Sequence, residues 1–109
     1  GKPMEINVGN VANTIQNNDI PVLVDCWAPW CQPCLFFAPI FEQAAAEFEP
    51  GLRLAKLNTQ DVPSLGNAWQ IQSIPTLILF KGGKEIQRIS GAMPLPQLRQ
   101  WIQKSGVLG

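Results

Sequence analysis

Runs and repeats of apolar residues divide the chain into predicted strands and helices. Apolar residues are almost continuous over residues 21–27 and 76–80, which predicts two strands buried on both faces. Between them, apolar residues recur at steps of three and four over residues 31–48, which predicts a long helix that Pro39 should kink. Residues 52–57 alternate between apolar and polar and therefore predict a third strand.

Shorter segments are marked by capping residues, turn residues or brief alternation. The first two are an edge strand at residues 4–8 and a short helix from Asn10 that ends at Asn17-Asn18. A weak helix follows at 61–69, with Asp61 as its N-cap and Pro63 in its first turn. The last three are a hairpin turn at 81–84, a strand at 85–90 with Ile86 and Ile89 out of strict phase, and an amphipathic helix at 94–103. The resulting order predicts one α/β domain over residues 1–109, with a mixed sheet and helices on both faces.

The composition removes several classes of chemistry. None of the 109 residues is His, so the chain has no Ser-His-Asp triad, no Cys-His dyad and no HExxH metal helix. The formal net charge of 0 argues against a nucleic acid or an anionic membrane as partner. The apolar runs are far shorter than the ~18 residues of a membrane helix, and no secretion signal is recognisable. We expect a monomer that binds neither nucleic acid nor membrane.

Two of the three cysteines lie where a buried strand passes into a helix. Cys31 and Cys34 are close enough there to form a small disulfide, and the helix N-terminus favours a thiolate at the first of them. Pro33 is tolerated in a first helical turn and stiffens it. One alternative is an inert structural disulfide. Another is half of a zinc site, but structural zinc needs four ligands and Cys26 is the only further strong candidate, so we expect Cys26 to be a core residue.

Asp25 interrupts the first buried strand. It stands among Val24, Cys26 and other apolar residues, so it is expected to be buried, although a surface position at the strand end is the alternative. Burial raises the pKa of a carboxyl, which lets the group exchange protons near neutral pH.

The residues around this pair are specific enough to indicate a family. Residues 24–34 (VDCWAPWCQPC) closely resemble the thioredoxin signature, and further matching segments follow in the family's order: Ala38-Pro39-Ile40, Lys56-Leu57-Asn58, Ser73-Ile74-Pro75-Thr76, Phe80-Lys81-x-Gly83 and Gly91-Ala92. The resemblance covers nearly the whole chain. It implies a thioredoxin fold, a central mixed sheet of five strands, the last two a hairpin, flanked by four helices on both faces. Within the family the chain most resembles the zinc-bearing second thioredoxin of bacteria, whose N-terminal zinc-binding cysteines do not occur in this sequence.

The resemblance also implies catalytic roles. Cys31 would be the attacking thiolate and Cys34 the resolving thiol, working through a mixed disulfide. Asp25 would assist deprotonation of Cys34. Lys56 is either the partner of Asp25 or an ordinary exposed strand residue.

Other matched positions would support substrate binding. Pro75 corresponds to the family's cis-proline, and Ile74 would offer its backbone to an extended substrate. Gly91-Ala92 belongs to the same matched surroundings. Trp30 would shield the site at the surface, whereas Trp27 is expected to pack in the core.

Two substitutions depart from the family's pattern beside the cysteines. Gln32 replaces the usual Gly between the cysteines and leaves the reduction potential open. Leu35 replaces a usual basic residue; with Phe36 it predicts a more apolar docking surface than is usual.

The resemblance implies a protein dithiol–disulfide oxidoreductase that reduces protein disulfides in the cytoplasm. It needs no bound cofactor, and thioredoxin reductase using NADPH would recycle it. One alternative is an oxidase or isomerase of an oxidising compartment. Another is a module that binds proteins on the surface of Trp30, Leu35 and Ile74 without redox turnover.

Overall fold

Five strands form one mixed sheet in the order β1-β3-β2-β4-β5 in the computed structural model, which describes residues 2–16 and 19–109. The strands are β1 (Met4–Glu5), β2 (Val22–Trp27), β3 (Arg53–Asn58), β4 (Thr76–Lys81) and β5 (Lys84–Ser90). Strands β1 and β2 each run parallel to β3, whereas β4 is antiparallel to both β2 and β5. The predicted mixed sheet with a closing hairpin is therefore confirmed.

Helices cover both faces of this sheet. They are a short π-helix (Ala12–Gln16), α1 (Gln32–Phe48), α2 (Pro63–Ala68) and α3 (Leu95–Ser105). Apolar side chains of α1 and α3, among them Phe41 and Leu98, pack on one face with Leu23 of β2. The π-helix and α2 cover the other face, where Ile15 is buried with Val24. Because alternate residues of a strand point to opposite faces, Asp25 lies on the α1 face and Cys26 on the α2 face.

Three local predictions need correction. The predicted strand at residues 4–8 ends at Glu5. Helix α2 begins at Pro63 after Val62, and Asp61 does not cap it, because the Asp61 carboxylate instead accepts a hydrogen bond from Asn58 Nδ2 at 3.2 Å.

The first helix also differs from the prediction. Asn10 Oδ1 accepts the N–H of Asn7, upstream of the helix, so its side chain serves the preceding turn and not the helix. The predicted helix end at Asn17-Asn18 lies outside the described residues.

The β4–β5 hairpin explains why Ile86 and Ile89 do not alternate strictly. Leu79 pairs with Gln87, but the next residue, Phe80, pairs with Glu85, so Ile86 is an extra residue in a bulge. The turn itself is made by Gly82 and Gly83, at φ of 60° and 81°, where glycine is favoured because it has no Cβ.

Candidate active site

Cys31 and Cys34 form a disulfide at the N-terminus of α1, with their Cα atoms 5.2 Å apart. Cys31 is the N-cap residue, and its Sγ accepts the backbone N–H of Cys34 at 3.3 Å. A donor in this position also stabilises a thiolate after reduction. Cys31 is 5% exposed and Cys34 is 1% exposed, so Cys31 is the sulfur that a second molecule reaches more easily.

The local chain path places this pair at the end of β2. After Trp27 the chain turns at Ala28, whose carbonyl accepts the Cys31 N–H at 3.1 Å. Pro33 occupies the first helical turn, where a proline costs no intrahelical hydrogen bond. The predicted passage from a buried strand into a cysteine-bearing helix is confirmed.

The loop before β4 lies against the disulfide. The peptide bond between Ile74 and Pro75 is cis, as the resemblance implies, and the Ile74 carbonyl oxygen lies 3.8 Å from Cys31 Sγ. The loop is held by two hydrogen bonds: Thr76 Oγ1 donates to the Ser73 carbonyl at 2.6 Å, and the Gly91 N–H donates to the Pro75 carbonyl at 2.8 Å.

Gly91 and Ala92 are therefore brought to this loop, and both are exposed. Gly91 has a φ of +103°, a conformation that residues with a Cβ rarely adopt, although a Cβ built there would meet no atom within 4 Å. The backbone conformation, and not lack of space, therefore favours glycine at this position.

Asp25 is fully buried, as the apolar run predicts. Within the described residues, neither of its carboxyl oxygens has a hydrogen-bond partner. Burial raises the pKa of Asp25 from 3.8 to about 7, and the positive charge of Lys56 partly opposes this rise. The carboxyl therefore takes up and releases a proton near neutral pH.

Lys56 lies directly beside Asp25, because the two residues are paired in the parallel β2–β3 ladder. Lys56 is half-buried, and its Nζ lies 4.4 Å from the centre of the Trp27 ring. Of the two interpretations of Lys56, this position favours a partner of Asp25 over an ordinary exposed residue.

Three large apolar side chains stand exposed beside the disulfide. Trp30 and Phe36 are each 69% exposed, and Leu35 is 43% exposed. Gln32 is also exposed, between the cysteines. The predicted exposure of Trp30 and Leu35 is confirmed, and their role in docking stays a prediction.

A groove of about 240 Å³ opens between Trp30 and the loop before β4. Its walls carry no charged side chain and consist of Trp30, Thr59, Pro63, Gly66, Asn67, Ile71, Gln72, Ser73 and Ile74. The sequence motifs do not indicate residues 66–72 as part of the site. A usable signal lay in the topology, because the parallel strands β2 and β3 end at the same edge of the sheet, which brings the segment after β3 next to the residues after β2.

Cys26 is fully buried and takes no part in this site. It points to the sheet face opposite Asp25, and burial, followed by the negative charge of Asp25, raises the pKa of its thiol to about 12. The predicted core position of Cys26 is confirmed.

Among the residues that the structure describes, no group of three or more Cys, Asp or Glu side chains is arranged to hold a metal ion. None of the described helices has both the length and the apolar character that a membrane span requires.

Comparison with known proteins gives one consistent result. The thioredoxin family model matches residues 2–104. Thioredoxin C-3 of Corynebacterium nephridii is 44% identical over 103 residues, which cover 94% of this chain and 70% of that protein. Thioredoxin 1 of a Nostoc strain is 41% identical over 90 residues, covering 83% of this chain and 84% of the relative. The M-type chloroplastic thioredoxin of Chlamydomonas reinhardtii is 40% identical over 99 residues, covering 91% of this chain and 71% of the relative.

A disulfide at a helix N-terminus, set against a cis-proline loop on this five-stranded sheet, defines a thiol–disulfide oxidoreductase of the thioredoxin fold. The chain belongs to the thioredoxin family, and it is a protein dithiol–disulfide oxidoreductase that reduces protein disulfides with Cys31–Cys34 as its redox pair. The narrower likeness to the zinc-bearing subtype stays a prediction.

Proposed function

We propose that Cys31 is the attacking and Cys34 the resolving cysteine of this reductase. In the reduced protein, the Cys31 thiolate attacks a substrate disulfide, a bond forms between Cys31 Sγ and one substrate sulfur, and the other substrate sulfur leaves as a thiolate that takes up a proton. Cys34 then attacks Cys31 Sγ, which closes the intramolecular disulfide and releases the second substrate thiolate. Two electrons pass from the cysteine pair to the substrate, and the greater exposure of Cys31 supports this order.

The second step requires a base, because Cys34 must lose its proton before it attacks. With no His in the chain, Asp25 is the proposed acceptor. Burial raises its pKa to about 7, so both the carboxylate and the neutral form are populated near neutral pH, and the group can accept a proton and later return it to solvent. Lys56 is the proposed charge partner that keeps this pKa from rising further.

The substrate is proposed to bind as an extended segment across the exposed face around the disulfide. The Ile74 backbone would pair with the substrate backbone, while Trp30, Leu35 and the uncharged groove receive its side chains. Pro33, Pro75 and Gly91 are proposed to hold the shape of this face.

We propose one monomeric domain that acts in the cytoplasm and is recycled by thioredoxin reductase using NADPH. The family supports this donor, since thioredoxins normally work with such a reductase. A cysteine count of three, with Cys26 buried, supports a compartment that does not require a structural disulfide framework.

The disulfide facing the Ile74-Pro75 loop is the observation that carries the proposal, and insulin reduction tests it. With NADPH and thioredoxin reductase, the wild-type protein should reduce insulin with multiple turnovers. Cys26→Ala is the matched control, since it removes the cysteine outside the pair and should retain turnover. Absence of turnover above background with either reductase or dithiothreitol would instead indicate a binding module.

A further inference from the structure

Lys56 lies in a row of charged residues across three strands. Glu5 of β1 pairs with Lys56, and Lys56 pairs with Asp25 of β2. Paired residues of a parallel ladder point to the same face, so the row runs from an exposed acid through a half-buried base to a fully buried acid. The position of the Lys56 ammonium along this row decides how strongly it acts on Asp25.

The Lys56 ammonium has acidic residues nearby as alternative partners. The Lys56 side chain lines a pocket of about 120 Å³ whose walls also carry the acidic residues Glu5 and Asp61. A lysine has four rotatable side-chain bonds and a strongly hydrated ammonium group, so pairing with these carboxylates is an obvious alternative. Within the described part of the chain, however, Lys56 forms no ion pair with either of them.

The Trp27 ring supplies the contact that the carboxylates do not. Lys56 Nζ lies 4.4 Å from the ring centre, within the range of a cation–π interaction. Trp27 follows Asp25 by two positions on the same strand, so its ring is on the same face as the carboxyl. Among the described residues, the buried Trp27 Nε1 has no hydrogen-bond partner, so the ring face and not the N–H accounts for its polar contact.

We propose that Trp27 is a positioning residue whose ring face holds the Lys56 ammonium near Asp25 and out of ion pairs with Glu5 and Asp61. This inference rests on the proposed role of Asp25 in proton transfer. It gives Trp27, which the sequence indicates only as core packing, an effect on the resolving step.

Few other charged or titratable groups face Asp25. Lys56 approaches from β3, Cys26 lies on the opposite side of the carboxyl's own strand, and β4 presents Leu77 as the ladder partner. Helix α1, on the same sheet face, carries the cysteine pair, which does not titrate while it is a disulfide. In the oxidised protein, displacement of the Lys56 ammonium should therefore change the measured pKa of Asp25.

The test is a double-mutant cycle between Trp27 and Lys56 in the oxidised protein. The pKa of Asp25 is measured by carbon-13 NMR of its carboxyl group, assigned with Asp25→Asn, in wild type, Trp27→Leu, Lys56→Met and the double variant. Trp27→Leu has two effects, since it hydrates the carboxyl and also releases Lys56. Only the second effect requires Lys56, so the cycle isolates it.

The proposal predicts that the two substitutions are coupled. The shift in the Asp25 pKa that Trp27→Leu causes should be more positive in the protein with Lys56 than in the Lys56→Met variant. The difference should be about half a pKa unit or more, because a cation that moves a few ångströms away at low effective dielectric loses that much influence. Equal changes in the two backgrounds, or a difference in the downward direction, would overturn the proposal.

Two further variants keep the result interpretable. Trp27→Phe keeps a smaller ring, should give a smaller difference of the same sign in the same cycle, and decides the question if Trp27→Leu does not fold. Trp69→Leu removes a tryptophan whose ring packs at a tilt against Phe80 on the other sheet face, and it should show no coupling to Lys56. The titration needs no turnover, so a failure of the proposed reductase mechanism shows separately, in the insulin assay.

Discussion

Asp25 and Lys56 are direct partners in the β2–β3 ladder, yet the buried carboxyl and the half-buried ammonium form no ion pair among the described residues. The ammonium acts on Asp25 through space and lowers a pKa that burial has raised to about 7. A direct ion pair would favour the carboxylate and fix it in the charged form. Because the ammonium is near the carboxyl but not ion-paired with it, Asp25 stays able to exchange a proton at neutral pH.

Replacement of Asp25 by Ala is expected to slow the resolving step more at pH 7 than at pH 9. At pH 7 the Cys34 thiol depends on the carboxylate to take its proton, whereas at pH 9 a larger fraction of thiol ionises without help. Rapid-mixing measurement of mixed-disulfide decay at the two pH values checks this. An equal slowing at both pH values would contradict a proton-transfer role.

The same carboxyl predicts how stability depends on pH. The folded-state pKa of Asp25, about 7, lies above its ordinary value of 3.8, so its stabilising contribution is complete below about pH 4 and is lost as the pH rises to 7. The shift corresponds to about 4 kcal/mol in the free energy of unfolding. Asp25→Asn removes this titration, so its stability relative to wild type should increase from pH 4 to pH 7 by up to that amount.

Urea unfolding of the oxidised proteins at several pH values measures this difference. Asp61→Asn is the matched control, since it changes an exposed Asp of the loop after β3 and should not reproduce the trend. A difference between Asp25→Asn and wild type that stays constant from pH 4 to pH 8 would show that the folded carboxyl titrates as it does in the unfolded chain.

Replacing either cysteine of the pair should stop the reaction at a different step. Cys31→Ser should lose turnover, to below about a tenth of the wild-type rate, because Cys34 and Cys26 are both less accessible to a substrate than Cys31. Cys34→Ser should still attack and then stop, so mixed disulfides with substrates should accumulate on non-reducing gels. Failure to trap any such species would count against the resolving role of Cys34.

The exposed apolar residues beside the pair predict an effect on protein substrates alone. Leu35→Ser or Phe36→Ser should raise the KM for insulin several-fold, while the rate with a small disulfide changes little, because only a protein substrate covers these side chains. Ile86→Ser on β5 is the matched control, since Ile86 is 46% exposed and Leu35 is 43% exposed. Equal effects of the β5 and α1 substitutions would refute a specific docking role.

Much of the fold follows from local patterns, because the short, almost continuous apolar runs of β2 and β4 favour buried strands and the three- and four-residue spacing of α1 favours a helix. The exceptions depend on strand pairing or on a competing side-chain hydrogen bond. The phase of Ile86 becomes clear only with the bulge opposite Leu79 and Phe80, and Asp61 fails as a cap because Asn58 donates to its carboxylate. The bulge requires the pairing of β4 with β5, whereas Asn58 lies only three residues from Asp61 and competes locally with the cap.

Some features of the site are likewise visible in the sequence, and others are not. The cysteine spacing and the apolar surroundings of Asp25 show in the sequence itself, whereas the cis bond at Pro75 follows only from the family resemblance. The contact between Lys56 and the Trp27 ring requires the register of β2 against β3, which no single-sequence pattern determines.

The reduction potential of the Cys31–Cys34 couple tests the central claim most directly. It is measured by equilibration with thiol–disulfide buffers and alkylation of free thiols, in Cys26→Ala so that only the pair is counted. A reductase predicts a potential near about −270 mV, at which the pair donates electrons to protein disulfides. A value between about −120 and −180 mV would contradict that direction of flow and indicate an oxidase or isomerase.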